Sequence, residues 1–141
     1  MTNIIRLAGY ASVFGVPDSG GDIVVRGAFA TARVGVPLLW QHIAATPIGT
    51  VDSVAEDARG LRVIASIVAD TAAGHDAVAL LRAGALTGLS FGYRVRASQP
   101  TRRGRELTDL ELIEVSLVTC PMQRLARVLA VDPLTPQENH A

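Results

Sequence analysis

Two short segments of the sequence carry side chains that could catalyse a reaction. Ser90 lies between Gly88 and Gly92 at the start of an apolar segment, and His42 follows Trp40 at the end of another. A serine hydroxyl is a weak nucleophile until a base removes its proton, and histidine is the usual base near neutral pH. Glycines beside the serine let a substrate carbonyl come close to the backbone. The pair therefore indicates a serine hydrolase in which the histidine precedes the serine along the chain.

The spacing around Ser90 matches the Gly-x-Ser-x-Gly pattern of a nucleophile elbow, but the surrounding sequence does not. In an elbow the serine lies between a strand and a following helix. Here Phe91, Tyr93 and Val95 alternate with small or polar residues, which predicts a strand after the serine. A chain of 141 residues is also short for an α/β-hydrolase. A small esterase is therefore disfavoured, and Ser90 is expected to lie on a strand.

A serine–histidine pair usually needs a third group that orients the imidazole and stabilises its charged form. The segment 107–119 offers Asp109, Glu111 and Glu114. Glu114 lies among apolar residues in the middle of this segment, where an unpaired carboxylate would be unfavourable. Asp109 and Glu111 lie nearer its polar beginning, where exposure to solvent explains them. Glu114 is the leading candidate and the other two are alternatives. The competing explanation for Glu114 is a charge that protects an edge strand from aggregation.

The oxyanion of a tetrahedral intermediate also needs hydrogen-bond donors. Two segments can supply them: the turn over 119–124, which includes Arg124, and the strand over 88–92. The sequence does not choose between them. The two main candidates also have plain structural explanations, in which Ser90 is a small polar residue on a strand and His42 closes a strand beside a core tryptophan.

The composition predicts one packed domain that works without a cofactor. The chain is 49% hydrophobic with a formal net charge of zero, so general attraction to nucleic acid or to an acidic membrane is not expected. The single cysteine, Cys120, excludes an internal disulfide, and no histidine pair has metal-ligand spacing. No segment approaches the roughly 20 apolar residues that span a bilayer. We therefore expect no metal, no cofactor, no nucleic-acid partner and no membrane partner.

The elements that must position these residues are mainly strands. Apolar alternation between turn signals predicts about seven strands, the longest over 86–98 and 106–119. One helix is predicted over 70–83, with Asp70 or Thr71 as its N-cap and Gly84 at its end. One face of this helix is predicted to contain Ala77, Leu80, Leu81 and Gly84.

Most of these strands follow one another at separations typical of hairpins. Closing them into a barrel would leave no free strand edges. The predicted fold class is therefore α+β, mainly β: a closed or nearly closed antiparallel β-barrel of about seven strands, with one clear helix and short helical turns around it. We predict one domain over residues 1–132 and a flexible polar tail over 133–141.

The candidate residues belong to a longer, ordered set of motifs between residues 7 and 130. These motifs are GYASVF at 9–14, GDI at 21–23, RGAF at 26–29, VPLLWQH at 36–42, PIG at 47–49, GLRV at 60–63, LLRAG at 80–84, GLSFGY at 88–93 and LIEVSLVTCP at 112–121. The set resembles the HK97-type prohead maturation proteases of tailed phages and of related gene transfer agents. It departs from that family after the last proline, where Met122, Gln123 and Arg124 replace the common Ala-Asn-Pro.

The resemblance implies a fold similar to the herpesvirus assembly proteases, a barrel ringed by helices. It implies that His42 and Ser90 are the catalytic pair, with Glu114 matching the family's acidic strand position best. The implied activity is that of a serine endopeptidase in the host cytoplasm, inside the assembling procapsid. Its expected substrates are scaffold, or a scaffold-like extension of the major capsid protein, and the protease itself; a homo-oligomer is a further expectation. The alternative is a non-catalytic capsid-assembly or scaffold-binding barrel.

Overall fold

Runs of alternating apolar residues form most of the described structure. The computed structural model describes residues 3–132 and the backbone of residues 135 and 136, so the predicted tail over 133–141 lies outside it except for those two residues. In chain order the elements are β1 (Ile4–Val13), β2 (Asp22–Val24), β3 (Pro37–Trp40), β4 (Ile43–Glu56), β5 (Gly60–Val68), α1 (Ala72–Arg82), β6 (Gly88–Thr101), β7 (Gly104–Val118), β8 (Val128–Val131) and β9 (Thr135–Pro136). The prediction of a mainly β fold with one helix is confirmed for this part of the chain.

The strands form one mixed sheet, so the prediction of a closed or nearly closed antiparallel barrel is wrong. Strand β6 pairs antiparallel along one edge of β7, and β2 and β3 pair parallel with opposite ends of its other edge. From β3 the sheet continues through β4, β5, β1 and β8 to β9. Over the described residues the strand ladders do not close into a barrel. Strand β6 and the segment before β8 meet only in a single bridge, between Gly88 and Arg127.

Two features explain why the sheet differs from the predicted barrel: the crossover between β2 and β3, and the outer part of the β6–β7 hairpin. The chain between β2 and β3 passes through turns over 26–31, where the carboxylate of Glu56 accepts hydrogen bonds from the N–H groups of Gly27 and Phe29. This crossover returns the chain to β7 in the same direction, so β2 and β3 both run parallel to it. The outer part of β6, residues 94–101, is exposed and pairs only with β7. That half of the hairpin extends beyond the core.

Helix α1 packs against β4 and β5 and begins and ends as the sequence predicts. The Thr71 hydroxyl accepts a hydrogen bond of 2.9 Å from the Gly74 N–H, which caps the first turn. Gly84 follows the last turn with a φ of 74°. The prediction of the apolar face was partly wrong, because Leu80 is 38% exposed. The residues that the helix buries are Gly74, Ala77, Val78 and Leu81.

The central strand β7 is buried over most of its second half. Ile113 is 38% exposed, and the apolar side chains there that are less than a tenth exposed are Leu110, Leu112, Val115, Leu117 and Val118. Residues 115–117 of β7 pair with β6 on one edge and with β3 on the other. A strand held by packing on both edges keeps its polar side chains in fixed positions, as a catalytic site requires.

Candidate active site

Ser90 lies on β6, directly opposite Ser116 on β7. Because side chains alternate along a strand, Ser90 and Gly92 share one face of β6, and their cross-strand partners Ser116 and Glu114 share the same face of β7. Ser90 is 5% exposed and borders a cavity of about 230 Å³. The predicted placement of Ser90 on a strand, rather than on an elbow before a helix, is confirmed.

His42 lies in the two-residue turn that joins β3 to β4. Trp40 and Ile43 pair across this turn, and the two residues between them, Gln41 and His42, have φ values of 52° and 60°. Positive φ at both central residues is the geometry of a type I′ hairpin turn, which usually contains asparagine and glycine. Residues with side chains hold this conformation only where surrounding contacts enforce it, and such strain concentrates at functional sites.

Hydrogen bonds to the end of β7 supply that enforcement. The Gln41 N–H donates to the Leu117 carbonyl at 2.9 Å, and the Thr119 N–H donates to the Gln41 side-chain oxygen at 3.2 Å. The His42 N–H donates to the Ser116 hydroxyl at 3.1 Å. The turn is thereby tied to the same strand that carries Glu114, so the histidine and the carboxylate share one rigid support.

Glu114 joins the imidazole of His42 to Ser116. The distance from His42 Nδ1 to Glu114 Oε1 is 2.5 Å, and the Ser116 hydroxyl donates to Glu114 Oε2 at 2.6 Å. Glu114 is only 8% exposed, so both of its oxygens are paired as a buried carboxylate requires. Since the carboxylate accepts the hydrogen on Nδ1, Nε2 of His42 is the ring nitrogen left free to accept a proton.

Gly92 makes room for the Glu114 carboxylate. A Cβ atom built on Gly92 would lie 2.5 Å from Glu114 Oε1 and 3.0 Å from its Cγ. The Glu114 carboxylate therefore lies against the backbone of β6 at Gly92, where no side chain blocks it. The second glycine of the Gly-x-Ser-x-Gly pattern thus serves the carboxylate rather than the serine.

Ser90 and His42 border the same cavity. No hydrogen bond joins the two side chains among the contacts of residues 3–132. Catalytic hydrogen bonds are often long in unliganded enzymes and shorten when substrate binds. The structure thus places the serine, the histidine and the glutamate of the sequence prediction around one site.

The two alternative carboxylates lie elsewhere on β7. Glu111 pairs with Arg96 at 3.4 Å, on the exposed part of the hairpin. Asp109 is half-buried opposite Ala97. Neither carboxylate contacts His42 within the described part of the chain. Glu114 is thus the acidic residue that the fold brings to the histidine.

Ser116 is a site residue that the sequence analysis missed. It is fully buried, and its hydroxyl links the backbone of His42 to the carboxylate of Glu114. The signal available in the sequence was its spacing two residues after Glu114, which places both side chains on one face of a strand. That signal is weak, because serines are common in strands and nothing local marks this one.

A second, larger space adjoins the cavity that Ser90 and His42 border. It has a volume of about 570 Å³, and Asp18 and Met122 line both spaces. Its other walls include Arg124 and Arg127 from the turn after β7 and the loop that precedes β8. The two together form an extended cleft, which suits a chain-like ligand better than a compact one.

Two side chains that line this cleft, Asp22 and Tyr93, have shifted pKa values. The Asp22 carboxylate forms hydrogen bonds of 3.0 and 2.9 Å with the Arg105 guanidinium, which hold its pKa below the usual value. Burial, and next the nearby Asp22 carboxylate, raise the pKa of Tyr93. The Tyr93 phenol therefore stays protonated near neutral pH and can donate a hydrogen bond.

Both segments considered as oxyanion donors reach the cavity. Met122 and Gln123 border it from the turn after β7, and Leu89 and Phe91 border it from the strand around Ser90. Arg124 lies instead in the wall of the larger space. The side chain of Gln123 is committed to the fold, since its amide bonds both to Val13 and to the Val16 carbonyl.

Within residues 3–132, no group of three or more histidine, cysteine, aspartate or glutamate side chains is arranged to hold a metal ion. Helix α1, the helix of the described chain, is too short to cross a membrane.

Comparison with known proteins gives one family and one fold. A family model for the caudovirus prohead serine protease matches residues 1–135. The chain is 33% identical over 131 residues to the prohead protease of Enterobacteria phage HK97, in a match that covers 87% of this chain and 58% of the phage protein. The chain thus spans less than two thirds of the length of that relative.

Solved structures with a similar fold include two herpesvirus proteases. KSHV protease, solved in complex with a hexapeptide phosphonate inhibitor, matches with a TM-score of 0.64 at 13% identity, over 92% of this chain and 65% of that one. Varicella-zoster virus protease matches with a TM-score of 0.53 at 16% identity, over 92% and 64% of the two chains. At these identities the similarity shows the fold alone, and it confirms the expected likeness to herpesvirus assembly proteases.

Proposed function

The chain belongs to the caudovirus prohead serine protease family, and from this membership and the geometry of the site we propose that it is a serine endopeptidase of procapsid maturation. The observation that carries the proposal is the arrangement around His42. Its Nδ1 lies 2.5 Å from the buried Glu114 carboxylate, and it borders one cavity together with Ser90. A nucleophile, a base and a group that orients the base are the components that peptide-bond cleavage by serine needs.

In the proposed reaction Ser90 Oγ attacks the carbonyl carbon of the scissile peptide bond. His42 Nε2 takes the hydroxyl proton and then gives it to the leaving amine, so the peptide C–N bond breaks and an acyl-serine ester remains. Water then attacks the ester, and His42 Nε2 takes a proton from it and gives that proton to Ser90 Oγ as the ester C–O bond breaks, which releases the new carboxyl end and free Ser90. Glu114 keeps Nδ1 protonated and stabilises the imidazolium that forms in each half of the reaction. The oxyanion donors come from the turn after β7 or from the strand around Ser90.

The proposed substrates are polypeptides of the assembling capsid. The extended cleft beside Ser90 is consistent with a segment of chain that passes through the site. We propose scaffold, or a scaffold-like extension of the major capsid protein, as the substrate, with self-cleavage as an additional reaction. The proposed location is the interior of the procapsid in the host cytoplasm. Confinement with substrate raises the effective concentration of both, so a modest intrinsic affinity suffices there.

Reaction with a fluorophosphonate tests the serine mechanism directly. Such a probe phosphonylates a serine hydroxyl that a neighbouring base activates, and displaces fluoride. We expect one adduct, located on Ser90 by peptide mass mapping, no adduct in Ser90→Ala and slower labelling in His42→Ala. The exposed Ser98 on the outer part of β6 is a matched control, and Ser98→Ala should label as the wild-type protein does. An unlabelled wild-type protein at high concentration would favour the alternative, a non-catalytic assembly protein.

A further inference from the structure

Ser12 is a second serine in the wall of the cavity that contains Ser90 and His42. It lies on β1 and is fully buried. Across residues 3–132, its Oγ is the one buried side-chain nitrogen or oxygen atom that has no hydrogen-bond partner. A buried hydroxyl without a partner is unfavourable, and such a group in a folded protein calls for an explanation.

The strand is irregular at this point. Tyr10 pairs with Arg62 and Ser12 pairs with Leu61, so Ala11 is an extra residue without a partner on β5. A bulge of this kind changes the direction in which neighbouring side chains point, and bulges are frequent next to active sites. Here both Ala11 and Ser12 are buried and both border the cavity, although consecutive residues of a regular strand face opposite sides.

Three other polar side chains of the cavity wall, those of Gln123, Asp18 and Asp22, already have partners in the fold. The Gln123 amide is bonded to the backbone of β1 and the loop after it. The Asp18 carboxylate accepts from the N–H groups of Gly20 and Asp22, and the Asp22 carboxylate pairs with Arg105. The hydrogen bonds of these groups stabilise the fold, whereas the Ser12 hydroxyl forms no hydrogen bond within the described residues.

We propose that Ser12 is a substrate-positioning residue, whose hydroxyl forms a hydrogen bond with the polypeptide bound beside Ser90. A hydroxyl can donate and accept, so it can pair with either an N–H or a carbonyl of the bound chain. Ala11, Val24 and Leu89 contribute apolar side chains to the same cavity, so a backbone group of a bound chain that enters among them needs a hydrogen-bond partner. Bound substrate would satisfy the orphan hydroxyl and the entering peptide group together. This assignment rests on the proposed endopeptidase function.

Binding to inactive protein tests the assignment without any need for turnover. The probe is the N-terminal extension of the cognate major capsid protein, titrated against Ser90→Ala and against Ser90→Ala with Ser12→Ala. We expect the dissociation constant to rise about tenfold when the Ser12 hydroxyl is absent, the size of one lost hydrogen bond. Ser90→Ala with Ser98→Ala is the control and should bind as Ser90→Ala does. Equal binding with and without the Ser12 hydroxyl would overturn the assignment and leave the proposed function intact.

Thermal unfolding separates positioning from a structural role. Because Ser12→Ala removes an unpaired buried hydroxyl, its melting temperature should equal or exceed that of the wild-type protein. A lower melting temperature together with weaker binding would make Ser12 a structural residue and would overturn the proposal. Ser12→Cys, which keeps the shape of the side chain but has a larger sulfur atom and only a weak donor, should also bind weakly. In active protein, Ser12→Ala should raise KM more than it lowers kcat. No binding by any variant would overturn this proposal along with the proposed function.

Discussion

At the scale of single residues, the site depends on His42, whose backbone and imidazole ring are each held in place by hydrogen bonds. His42 has a backbone conformation that is unusual for a residue with a side chain, and hydrogen bonds to β7 maintain it. Its ring is held by Glu114, whose second oxygen is held by Ser116. A base whose backbone and ring are both fixed loses little freedom when the reaction begins, which favours catalysis.

Glu114→Gln should keep the fold and lower the rate of peptide cleavage by about a hundredfold or more, because a neutral amide does not stabilise the imidazolium. The matched control is Glu111→Gln, the same change on the same strand at a carboxylate that pairs with Arg96 instead. Steady-state cleavage of a peptide that spans the capsid cleavage site measures both. A wild-type rate in folded Glu114→Gln would mean that the site works as a serine–histidine dyad.

Gly92→Ala should also lower the rate, by about tenfold or more, since small displacements of catalytic groups have large effects. The new Cβ would lie 2.5 Å from Glu114 Oε1 and would displace the carboxylate from His42. Gly20→Ala is the control, because the nearest atom to a Cβ there is 3.4 Å away. The same peptide assay applies, with circular dichroism to check the fold. If Gly92→Ala cleaves as fast as Gly20→Ala, the glycine has no part in positioning the carboxylate.

Glu114 could be predicted as a site residue from the sequence, whereas Ser116 and Ser12 could not, and the reason is physical. A carboxylate in an apolar segment is unfavourable unless it is paired, so Glu114 could be recognised without a structure. Ser116 and Ser12 could not, because a serine is tolerated almost anywhere in a strand. Their roles depend on cross-strand register and on a bulge in β1, which are properties of paired strands rather than of any one segment.

At the scale of elements, β7 organises the site. It carries Glu114 and Ser116, pairs with the strand that carries Ser90, and anchors the turn that carries His42. Most strands and the helix could be predicted, because apolar alternation and capping residues are local signals. The parallel pairing of β2 and β3 with β7 could not, because it depends on a crossover whose turns are held by Glu56, far along the chain.

The ion pair between Asp22 and Arg105 joins β2 to β7 and should make stability depend on pH. Since hydrogen bonds from Arg105 lower the pKa of Asp22, the pair stabilises the fold above the unfolded pKa of about 3.9. That stabilisation is lost as the pH falls through the lower pKa of the folded state. Arg105→Met should therefore have a lower melting temperature than the wild-type protein at pH 7.

The difference in melting temperature between Arg105→Met and the wild-type protein should shrink toward zero in strong acid. Added salt at pH 7 should also reduce it, because both groups are partly exposed to solvent. Melting curves at several pH values measure the effect, with the exposed Arg102→Met as a control on the adjacent turn. A difference that stays constant across the acid range would show that Arg105 stabilises the fold through packing rather than through the ion pair.

At the scale of the whole molecule, the proposed function requires that the protease remain inactive until the shell has formed. We expect weak activity from the dilute chain and higher activity on self-association, because confinement in a shell gives effective concentrations in the millimolar range. Surfaces available for association include the exposed side of α1, where Leu80 is 38% exposed. The measurement is cleavage rate per enzyme molecule across a dilution series. A specific activity that stays high and constant down to about nanomolar protein would contradict activation by association.

Ser90 of this chain is proposed to cleave a capsid protein during procapsid maturation. The most direct measurement is the intact mass of the major capsid protein co-expressed with the wild-type protease, with Ser90→Ala and with Ser98→Ala. We predict a shortened capsid protein with the wild-type protease and with Ser98→Ala, and a full-length one with Ser90→Ala that circular dichroism shows to be folded. A shortened capsid protein with folded Ser90→Ala, or a full-length one in procapsids assembled with the wild-type protease, would contradict the claim.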